Sequence, residues 1–351
     1  MLLSLGSSAV DASSAVEAVV SRARSQFGVL SGIVAQRQVR AKELRARIPF
    51  NLVDEALAEA LMEDHDAFVF DCDGVLWSGA LGLLPGVANV LAELERRGKK
   101  CLFVTNNSAR SREAYAAKFA ALGIRASVEQ IVPSSYVAAR WLAQHRPDLE
   151  AAFVIGEAGV EEELRAAGIE VMRVRAEGEG EGAAFSEAAF ATAEPDPKIG
   201  AVVVGADSSF CFTALAQASL CLERLPGCLF VATNVDEFDV VGGRRLPGAG
   251  CVVAAVQAAC GRPPDAVCGK PSADLAEYLV KSLEAEGIAR HRTLVIGDRL
   301  DTDIALAAAM GASSLLVLTG VASASDVANV RAAQPDCPGA VMSHLGALLE
   351  R

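Results

Sequence analysis

The chain has 351 residues, of which 52% are hydrophobic and 22% charged, a composition typical of a globular protein with room for two domains. Its formal net charge of −12 argues against nucleic acid and anionic membranes as partners, because both bind basic surfaces. The nine cysteines are scattered without a CxxC pair, so we expect free thiols in a reducing compartment. Neither a membrane span nor a secretory signal is indicated.

The beginning of the chain differs in composition from the rest. We predict an N-terminal extension over residues 1–62. Residues 1–48 are rich in Ser and Arg and poor in acids, which is typical of an organellar transit peptide. A helical N-terminal extension explains the same residues equally well. The predicted location is therefore the cytoplasm or, if residues 1–48 are a transit peptide, the chloroplast.

From residue 66 onward, short apolar strands alternate with helical patterns, which predicts an α/β fold with a parallel sheet. The predicted strands are 67–70, 100–104, 152–155, 201–205, 228–232, 293–297 and 314–318. The predicted helices are 87–97, 111–122, 135–144, 160–167, 211–224, 250–260, 273–286 and 302–309. In such folds, functional residues follow the carboxyl ends of the strands.

Two aspartates, Asp71 and Asp73, follow the first of these strands with Cys72 between them. Residues two apart on an extended segment point the same way, so both carboxylates can face one site while Cys72 turns into the core. One carboxylate can attack as a nucleophile and the other can move a proton. Cys72 is interpreted as a small buried core residue. The alternative is that its oxidation acts as a redox switch.

Polar segments follow three other predicted strands. Thr105-Asn106-Asn107-Ser108 offers a hydroxyl, amides and backbone N–H groups to a phosphoryl group, although the same residues also suit an ordinary turn. Lys270, between Gly269 and Pro271, can place a positive charge against phosphate, although most lysines are simply solvated. After residues 293–297, Asp298 and Asp303 add carboxylates that repel each other without a cation, and oxygen-only ligands suit Mg²⁺.

The order Asp-x-Asp-Gly, Thr-Asn-Asn, Gly-Lys-Pro and Gly-Asp-x-x-x-x-Asp resembles the four motifs of haloacid dehalogenase superfamily phosphatases. Residues 70–77, 103–108, 226–234 and 295–304 are similar to the eukaryotic phosphoglycolate phosphatase group, which includes pyridoxal phosphate phosphatases. The resemblance covers residues 63–349. It implies a Rossmann-like parallel-sheet core with a large inserted α/β cap domain.

The resemblance also implies a role for each motif residue. Asp71 would be the nucleophile that becomes an aspartyl-phosphate, and Asp73 the general acid and base. Thr105, Asn106, Asn107 and Lys270 would bind the phosphoryl group. Asp71, the Asp73 carbonyl and Asp298 would ligate Mg²⁺, with Asp303 ordering the metal-bound waters. An acid at position 73 favours a phosphatase over a dehalogenase, because an alkoxide leaving group needs a proton.

The spacing of the motifs predicts where the cap is inserted. The stretch from Asp73 to Thr105 is too short for a cap, whereas the stretch from Thr105 to Lys270 has room for a second α/β domain. We therefore predict a core over 63–145 and 264–351 and a cap over 146–263. Family caps often pair, which implies a homodimer through the cap as one option.

Family alignment places the specificity segment of the cap at residues 233–245. In it, Asn234, Asp236, Arg244 and Arg245 are candidates for contact with the leaving group, and either arginine suits a substrate carboxylate. Two solvated arginines on a hairpin tip are an equal alternative.

The partner is expected to be a small phosphorylated metabolite, with 2-phosphoglycolate first and glycerol 3-phosphate as a companion substrate. Pyridoxal 5′-phosphate or a phosphoprotein is the alternative for the same chemistry. A non-catalytic regulatory protein on this fold is the alternative from another class.

Overall fold

The structure is a computed structural model and describes residues 51–79, 82–174, 186–241, 244–330, 334 and 336–350. Residues 1–50 of the predicted extension lie outside this range. The described residues form two compact units: the first ends at Phe103 and resumes at Ala276, and the second is Val104–Leu275. These units are defined by contact density and do not test the predicted domain borders, which stay predictions.

In chain order, the strands of the first unit are β1 (Asn51–Leu52), β2 (Ala67–Phe70), β3 (Trp77–Ser78), β4 (Gly82–Leu83), β5 (Lys100–Thr105, whose last two residues belong to the second unit), β14 (Thr293–Gly297), β15 (Ser313–Val317) and β16 (Ala340–Met342). Its helices are α1 (Glu55–Asp64), α2 (Val87–Arg96), α9 (Ala273–Ala285, which begins in the second unit), α10 (Ala305–Met310) and α11 (Ala324–Asn329).

The main sheet of the first unit is parallel, with the strand order β1-β16-β15-β14-β2-β5. Strand β2 is buried along its whole length, as expected for a parallel strand covered on both faces. The rings of Phe68, Phe70 and Phe103 stack across β2 and β5, with centroids 6.3 and 5.9 Å apart. Full burial of such a side chain contributes about 1.5–3 kcal/mol, so this core fixes the strand ends that carry Asp71.

The strands of the second unit are β6 (Ile131–Pro133), β7 (Ala151–Ile155), β8 (Glu170–Met172), β9 (Ile199–Val204), β10 (Leu229–Ala232), β11 (Phe238–Val241), β12 (Arg244–Pro247) and β13 (Ala266–Val267). Five of them form a parallel sheet with the order β13-β10-β9-β7-β8. The helices of this unit are α3 (Arg112–Ala121), α4 (Ser134–His145), α5 (Ala158–Ala166), α6 (Glu187–Phe190), α7 (Phe212–Arg224) and α8 (Ala249–Cys260).

Helices α7 and α8 pack on this second sheet through alternate small and branched side chains. The cluster includes Ala218 and Val256, which are fully buried beside Val202 and Phe230 of the strands. Strands β11 and β12 form a separate antiparallel hairpin. The predicted α/β class, a parallel-sheet core with a second α/β region, is confirmed.

Several short elements were not predicted from the sequence. Strand β1 pairs with β16, and α1 begins after Asp54, whose carboxylate caps it by accepting the N–H of Leu57 at 3.0 Å. The helix predicted over 302–309 begins within a single π-turn at Leu300–Ile304. The chain is α-helical only from Ala305 to Met310. Among the described residues, no helix is long and apolar enough to cross a membrane.

Candidate active site

Three aspartates of the first unit lie together at the carboxyl ends of two neighbouring strands. Asp71 follows β2 and Asp298 follows β14, and these strands are paired with Phe70 opposite Ile296. Asp71, Asp298 and Asp303 each offer a carboxylate oxygen, and these oxygens lie within 4.8 Å of one another. All three side chains are buried. We call these three residues the acid cluster.

The backbone holds the acid cluster in place. The N–H of Asp71 donates to the carbonyl of Ile296 at 2.8 Å, which continues the strand pairing up to the predicted nucleophile. One carboxylate oxygen of Asp298, Oδ2, accepts the N–H of Val321 at 2.6 Å. Oδ2 of Asp303 accepts the N–H groups of Asp298 and Arg299, each at 3.1 Å. The backbone of Asp71 is therefore fixed by strand pairing, and the carboxylates of Asp298 and Asp303 are oriented by main-chain N–H groups, which do not change rotamer.

Glycines make room for Asp298. A Cβ on Gly320 would lie 1.7 Å from Oδ2 of Asp298, and a Cβ on Gly74 would lie 2.6 Å from the same atom. Gly74 also has a φ of +89°, in the region that favours glycine. Main chain thus approaches the Asp298 carboxylate more closely than any side-chain-bearing residue would permit.

The donor set of the acid cluster fits a hard divalent cation. Three buried carboxylates within 4.8 Å repel one another when ionised, and a cation among them relieves that repulsion. Oxygen donors without histidine or cysteine are the ligands that Mg²⁺ and Ca²⁺ take in proteins. Asp303, which was predicted to order metal-bound waters, lies in the cluster itself and also fixes the backbone beside Asp298.

Asp73 lies on the exposed side of the same loop, whereas Cys72 is fully buried between the two acids. The prediction that Cys72 turns into the core is confirmed. One carboxylate oxygen of Asp73, Oδ1, accepts the indole N–H of Trp77 at 2.9 Å. The sequence analysis assigned no role to Trp77. Its position four residues after Asp73 is the only sign of this contact in the sequence.

The second unit brings together a different set of predicted residues around Asn106. The Asn106 side-chain amide donates to both carboxylate oxygens of Asp236, each at 3.0 Å, and to the carbonyl of Lys270 at 3.3 Å. Its Oδ1 accepts the N–H of Lys270 at 2.7 Å. The main-chain carbonyl of Asn106 accepts from the Asn234 amide at 2.7 Å and from the Ser134 hydroxyl at 2.5 Å. We call Asn106, Asn234, Asp236 and Lys270 the amide–lysine group.

Lys270 is buried, with a side chain that reaches back to the end of β5. Its Nζ donates to the carbonyl of Val104 at 3.1 Å. The Lys270-Pro271 peptide bond is cis. The Asn106 amide thus binds the backbone of Lys270 on both its donor and its acceptor, so the position of the lysine depends on a residue far away in sequence.

The other residues that were predicted to bind the phosphoryl group, Thr105 and Asn107, are positioned by hydrogen bonds to nearby residues. The buried Thr105 hydroxyl accepts the N–H of Asn107 at 3.1 Å. Asn107 is exposed, and its side-chain oxygen accepts the N–H of Ala109 at 3.0 Å, so it stabilises the turn. The carbonyl of Asn107 accepts the hydroxyl proton of Tyr115 in α3 at 3.1 Å. The turn that contains the predicted phosphate-binding residues is therefore attached to the helix that follows it.

The predicted specificity residues divide into two sets. Asn234 and Asp236 belong to the amide–lysine group, whereas Arg244 and Arg245 are exposed on β12. The Arg245 guanidinium lies 4.1 Å above the ring centroid of Phe238 on the paired strand. Sequence reasoning did not find the role of Ser134, because nothing local marks a serine at the start of α4 as a partner of Asn106.

Comparison with known proteins identifies the family of the chain. Residues 68–170 match the model of a haloacid dehalogenase-like hydrolase family, and residues 267–348 match a second model of that kind. The chain is 39% identical over 279 residues to phosphoglycolate phosphatase 2 of Arabidopsis thaliana, covering 79% of this chain and 90% of that protein. It is 40% identical over 293 residues to human glycerol-3-phosphate phosphatase, covering 80% and 86%.

Among solved structures, the fold is similar to a glycerol phosphate phosphatase from Mycobacterium tuberculosis in complex with magnesium. The TM-score is 0.66 at 32% identity, covering 82% of this chain and 77% of the other. The relatives are metal-dependent phosphoric monoester hydrolases, as the resemblance implied. The chain therefore belongs to the haloacid dehalogenase-like hydrolases, within the group of phosphoglycolate and glycerol-3-phosphate phosphatases.

Proposed function

We propose that this protein is a Mg²⁺-dependent phosphatase that hydrolyses 2-phosphoglycolate, and glycerol 3-phosphate less efficiently, through an aspartyl-phosphate on Asp71. The observation that carries this proposal is the acid cluster at the ends of β2 and β14, with Asp73 beside it. Asp71, the Asp73 carbonyl and Asp298 would hold Mg²⁺. When bound, the ion would neutralise charge on the phosphate oxygens.

The chain's own residues then have distinct tasks. A carboxylate oxygen of Asp71 attacks phosphorus while the bond from phosphorus to the leaving oxygen breaks, and the carboxyl proton of Asp73 passes to that oxygen. In the second half, the Asp73 carboxylate takes a proton from water, the water oxygen bonds to phosphorus, and the bond to Asp71 breaks. Inorganic phosphate leaves, and both aspartates return to their starting states.

The proposal includes the phosphate-binding roles that the family resemblance implies for residues of the second unit. Lys270 would supply positive charge to the phosphate oxygens, and Thr105, Asn106 and Asn107 would bind them through hydroxyl and N–H groups. The side-chain amide of Asn106 is already engaged with Asp236 and Lys270, which supports contact through its main-chain N–H and a positioning role for its side chain.

The preference for phosphoglycolate rests on the arginine pair of β12, because the relatives do not separate the two substrates. The Arabidopsis relative is named for phosphoglycolate and the human one for glycerol 3-phosphate, at nearly equal identity. Phosphoglycolate carries a carboxylate that a guanidinium binds well, whereas glycerol 3-phosphate carries hydroxyls. Because Arg245 already stacks on Phe238, we expect Arg244 to provide most of the carboxylate recognition.

The experiment is phosphate release with Mg²⁺ from 2-phosphoglycolate, glycerol 3-phosphate, pyridoxal 5′-phosphate and p-nitrophenyl phosphate, with Asp71→Asn as the blank. We expect kcat/KM for phosphoglycolate at least ~10-fold above the others, about 1.4 kcal/mol of transition-state preference. Arg244→Ala should reduce that ratio, and Arg224→Ala, at an exposed arginine of α7 paired with Glu194, should not. A flat or pyridoxal-biased profile would overturn the substrate, and no release from any ester would favour the regulatory alternative.

A further inference from the structure

The indole of Trp77 makes a contact that the reaction above does not yet use. Its N–H donates to Oδ1 of Asp73 at 2.9 Å, although the Asp73 residue is otherwise on the exposed side of the loop. Trp77 itself is 2% exposed. A buried ring of this size has essentially one orientation available, so its N–H points in a fixed direction.

The backbone around Trp77 fixes that ring further. The carbonyl of Trp77 accepts the N–H of Gly74 at 2.8 Å, and its N–H donates to the carbonyl of Cys72 at 3.2 Å. Trp77 also pairs with Leu83 in the β3–β4 hairpin. The Gly74 carbonyl accepts the Thr319 hydroxyl at 2.5 Å, which ties the loop to the segment after β15. Asp73 and Trp77 therefore belong to one closed turn with little freedom.

We propose that Trp77 is a positioning residue that fixes the orientation of the Asp73 carboxyl group, so that Oδ2 and not Oδ1 is presented to the reacting oxygen. The inference rests on the proposed role of Asp73 as general acid and base. An indole N–H is a donor only, so the oxygen that it contacts must act as an acceptor. Oδ1 is thereby engaged by the indole, and Oδ2 is the oxygen assigned to proton exchange with the reacting groups.

This assignment gives each Asp73 oxygen one task. In the first half-reaction the Oδ2–H bond breaks, its proton goes to the leaving oxygen, and that oxygen takes the electron pair of the broken phosphorus–oxygen bond. In the second half, Oδ2 takes a proton from the attacking water. Oδ1 keeps the indole hydrogen bond throughout, so the carboxyl group does not rotate between the two steps. Without that bond, an exposed carboxylate samples several rotamers, and only some of them present Oδ2 to the leaving group.

The test separates proton delivery from general damage by varying the leaving group. An alkoxide leaving oxygen needs the Asp73 proton, whereas p-nitrophenolate is stable enough to leave without it. We expect Trp77→Phe to lower kcat/KM for an alkyl phosphate such as glycerol 3-phosphate by ~10- to 100-fold. The same variant should lower kcat/KM for p-nitrophenyl phosphate by less than ~3-fold, since nucleophilic attack by Asp71 is intact.

A double-mutant comparison tests whether Trp77 acts through Asp73. In an Asp73→Asn background, which has no proton to deliver, Trp77→Phe should cause no further loss with the alkyl substrate. Trp141→Phe is the matched control, because Trp141 is the other of the two tryptophans and stacks on His145 in α4. An equal loss for both substrates with Trp77→Phe, or a full additional loss in the Asp73→Asn background, would overturn the proposal.

A second variant keeps the proposal testable if phenylalanine leaves a cavity that unfolds the loop. Replacement of Trp77 by 3-benzothienylalanine preserves the bicyclic shape and removes only the N–H donor. The same selective loss with alkyl phosphates is expected, and uniform full activity would contradict the proposal. A wild-type protein inactive toward every ester would instead contradict the proposed function, so the two failures are distinguishable.

Discussion

The acid cluster and the amide–lysine group are held by different means. The main chain of Asp71 is held by strand pairing, the carboxylates of Asp298 and Asp303 accept main-chain N–H groups, and glycines bring the backbone against Asp298. The amide–lysine group is held mainly by side chains, with Asn106 bonded to Asp236 and to Lys270, residues more than a hundred positions away. One group depends on backbone space, and the other on one buried amide.

This difference predicts different responses to mutation. Damage to the backbone around the acid cluster should move a carboxylate and lower the rate of the chemical step. Damage to Asn106 should loosen Lys270 and Asp236 together, which should lower phosphate affinity and stability because a buried donor and acceptor lose their partners.

The largest effect is expected at Asp71, the proposed nucleophile. Asp71→Asn keeps the shape of the side chain and removes its nucleophilic oxygen and its negative charge, so phosphate release should fall by about 10⁴-fold or more. Circular dichroism should show an unchanged fold. Residual activity within ~10-fold of wild type would exclude Asp71 as the nucleophile.

Gly320→Ala tests the claim that the acid cluster depends on backbone space. The added Cβ would lie 1.7 Å from Oδ2 of Asp298, so the carboxylate must move. We expect kcat/KM to fall by about 10²-fold and the Mg²⁺ concentration for half-maximal rate to rise. The matched control is Gly79→Ala, because a Cβ there meets nothing within 4 Å. Equal kcat/KM and equal Mg²⁺ dependence in the two variants would contradict the claim that the acid cluster depends on close approach of the backbone.

Asn106→Ala tests the other half of the comparison. Loss of the buried bonds to Lys270 and Asp236 should cost about 1–3 kcal/mol in the free energy of unfolding. Inhibition by inorganic phosphate, a probe of affinity without turnover, should weaken by ~10-fold because Lys270 is no longer fixed. Asn89→Ala, at an exposed asparagine of α2, should change neither quantity. Unchanged phosphate inhibition with Asn106→Ala would separate Asn106 from Lys270.

The smallest effect is expected in the labelling of buried thiols. The labelling rate of Cys72 tests whether the loop between Asp71 and Asp73 is closed in the folded protein. Cys211 and Cys251 are exposed and should react first in the native protein. Burial raises the pKa of Cys101 and of Cys221 to about 12, so these thiols should stay unreactive until unfolding. Cys72 is fully buried and should be equally protected. Modification of Cys72 in the folded enzyme would show that the loop from Asp71 to Asp73 opens, and it would favour the redox-switch hypothesis.

The strands that carry the site were predictable because they are buried on both faces. The continuous apolar sequences of β2 and β14 are typical of buried parallel strands, and the acids that follow them mark one edge of the sheet. The two-residue strand β1 was missed, because only its pairing with β16 defines it. The π-turn before α10 was also missed, since helical periodicity does not distinguish it from an α-helical turn.

The residue types of the site were predictable, but their mutual contacts were not. Motif order identified Asp71, Asp298, Asn106 and Lys270 as candidates from the sequence alone. That the Asn106 amide spans Asp236 and Lys270, and that an indole binds Asp73, depends on tertiary packing. Periodicity reports which face of an element is buried, and it carries no information about the partner of a buried polar group.

The central claim is that Asp71 carries the phosphoryl group during turnover. Quenching the enzyme during hydrolysis of phosphoglycolate and reducing with borohydride converts an aspartyl-phosphate to homoserine, which mass spectrometry locates by sequence. The account predicts homoserine at position 71 in the wild type and in Asp73→Asn, and none in Asp71→Asn. Continued phosphate release with no modification at position 71, or with modification at another acid, would contradict it.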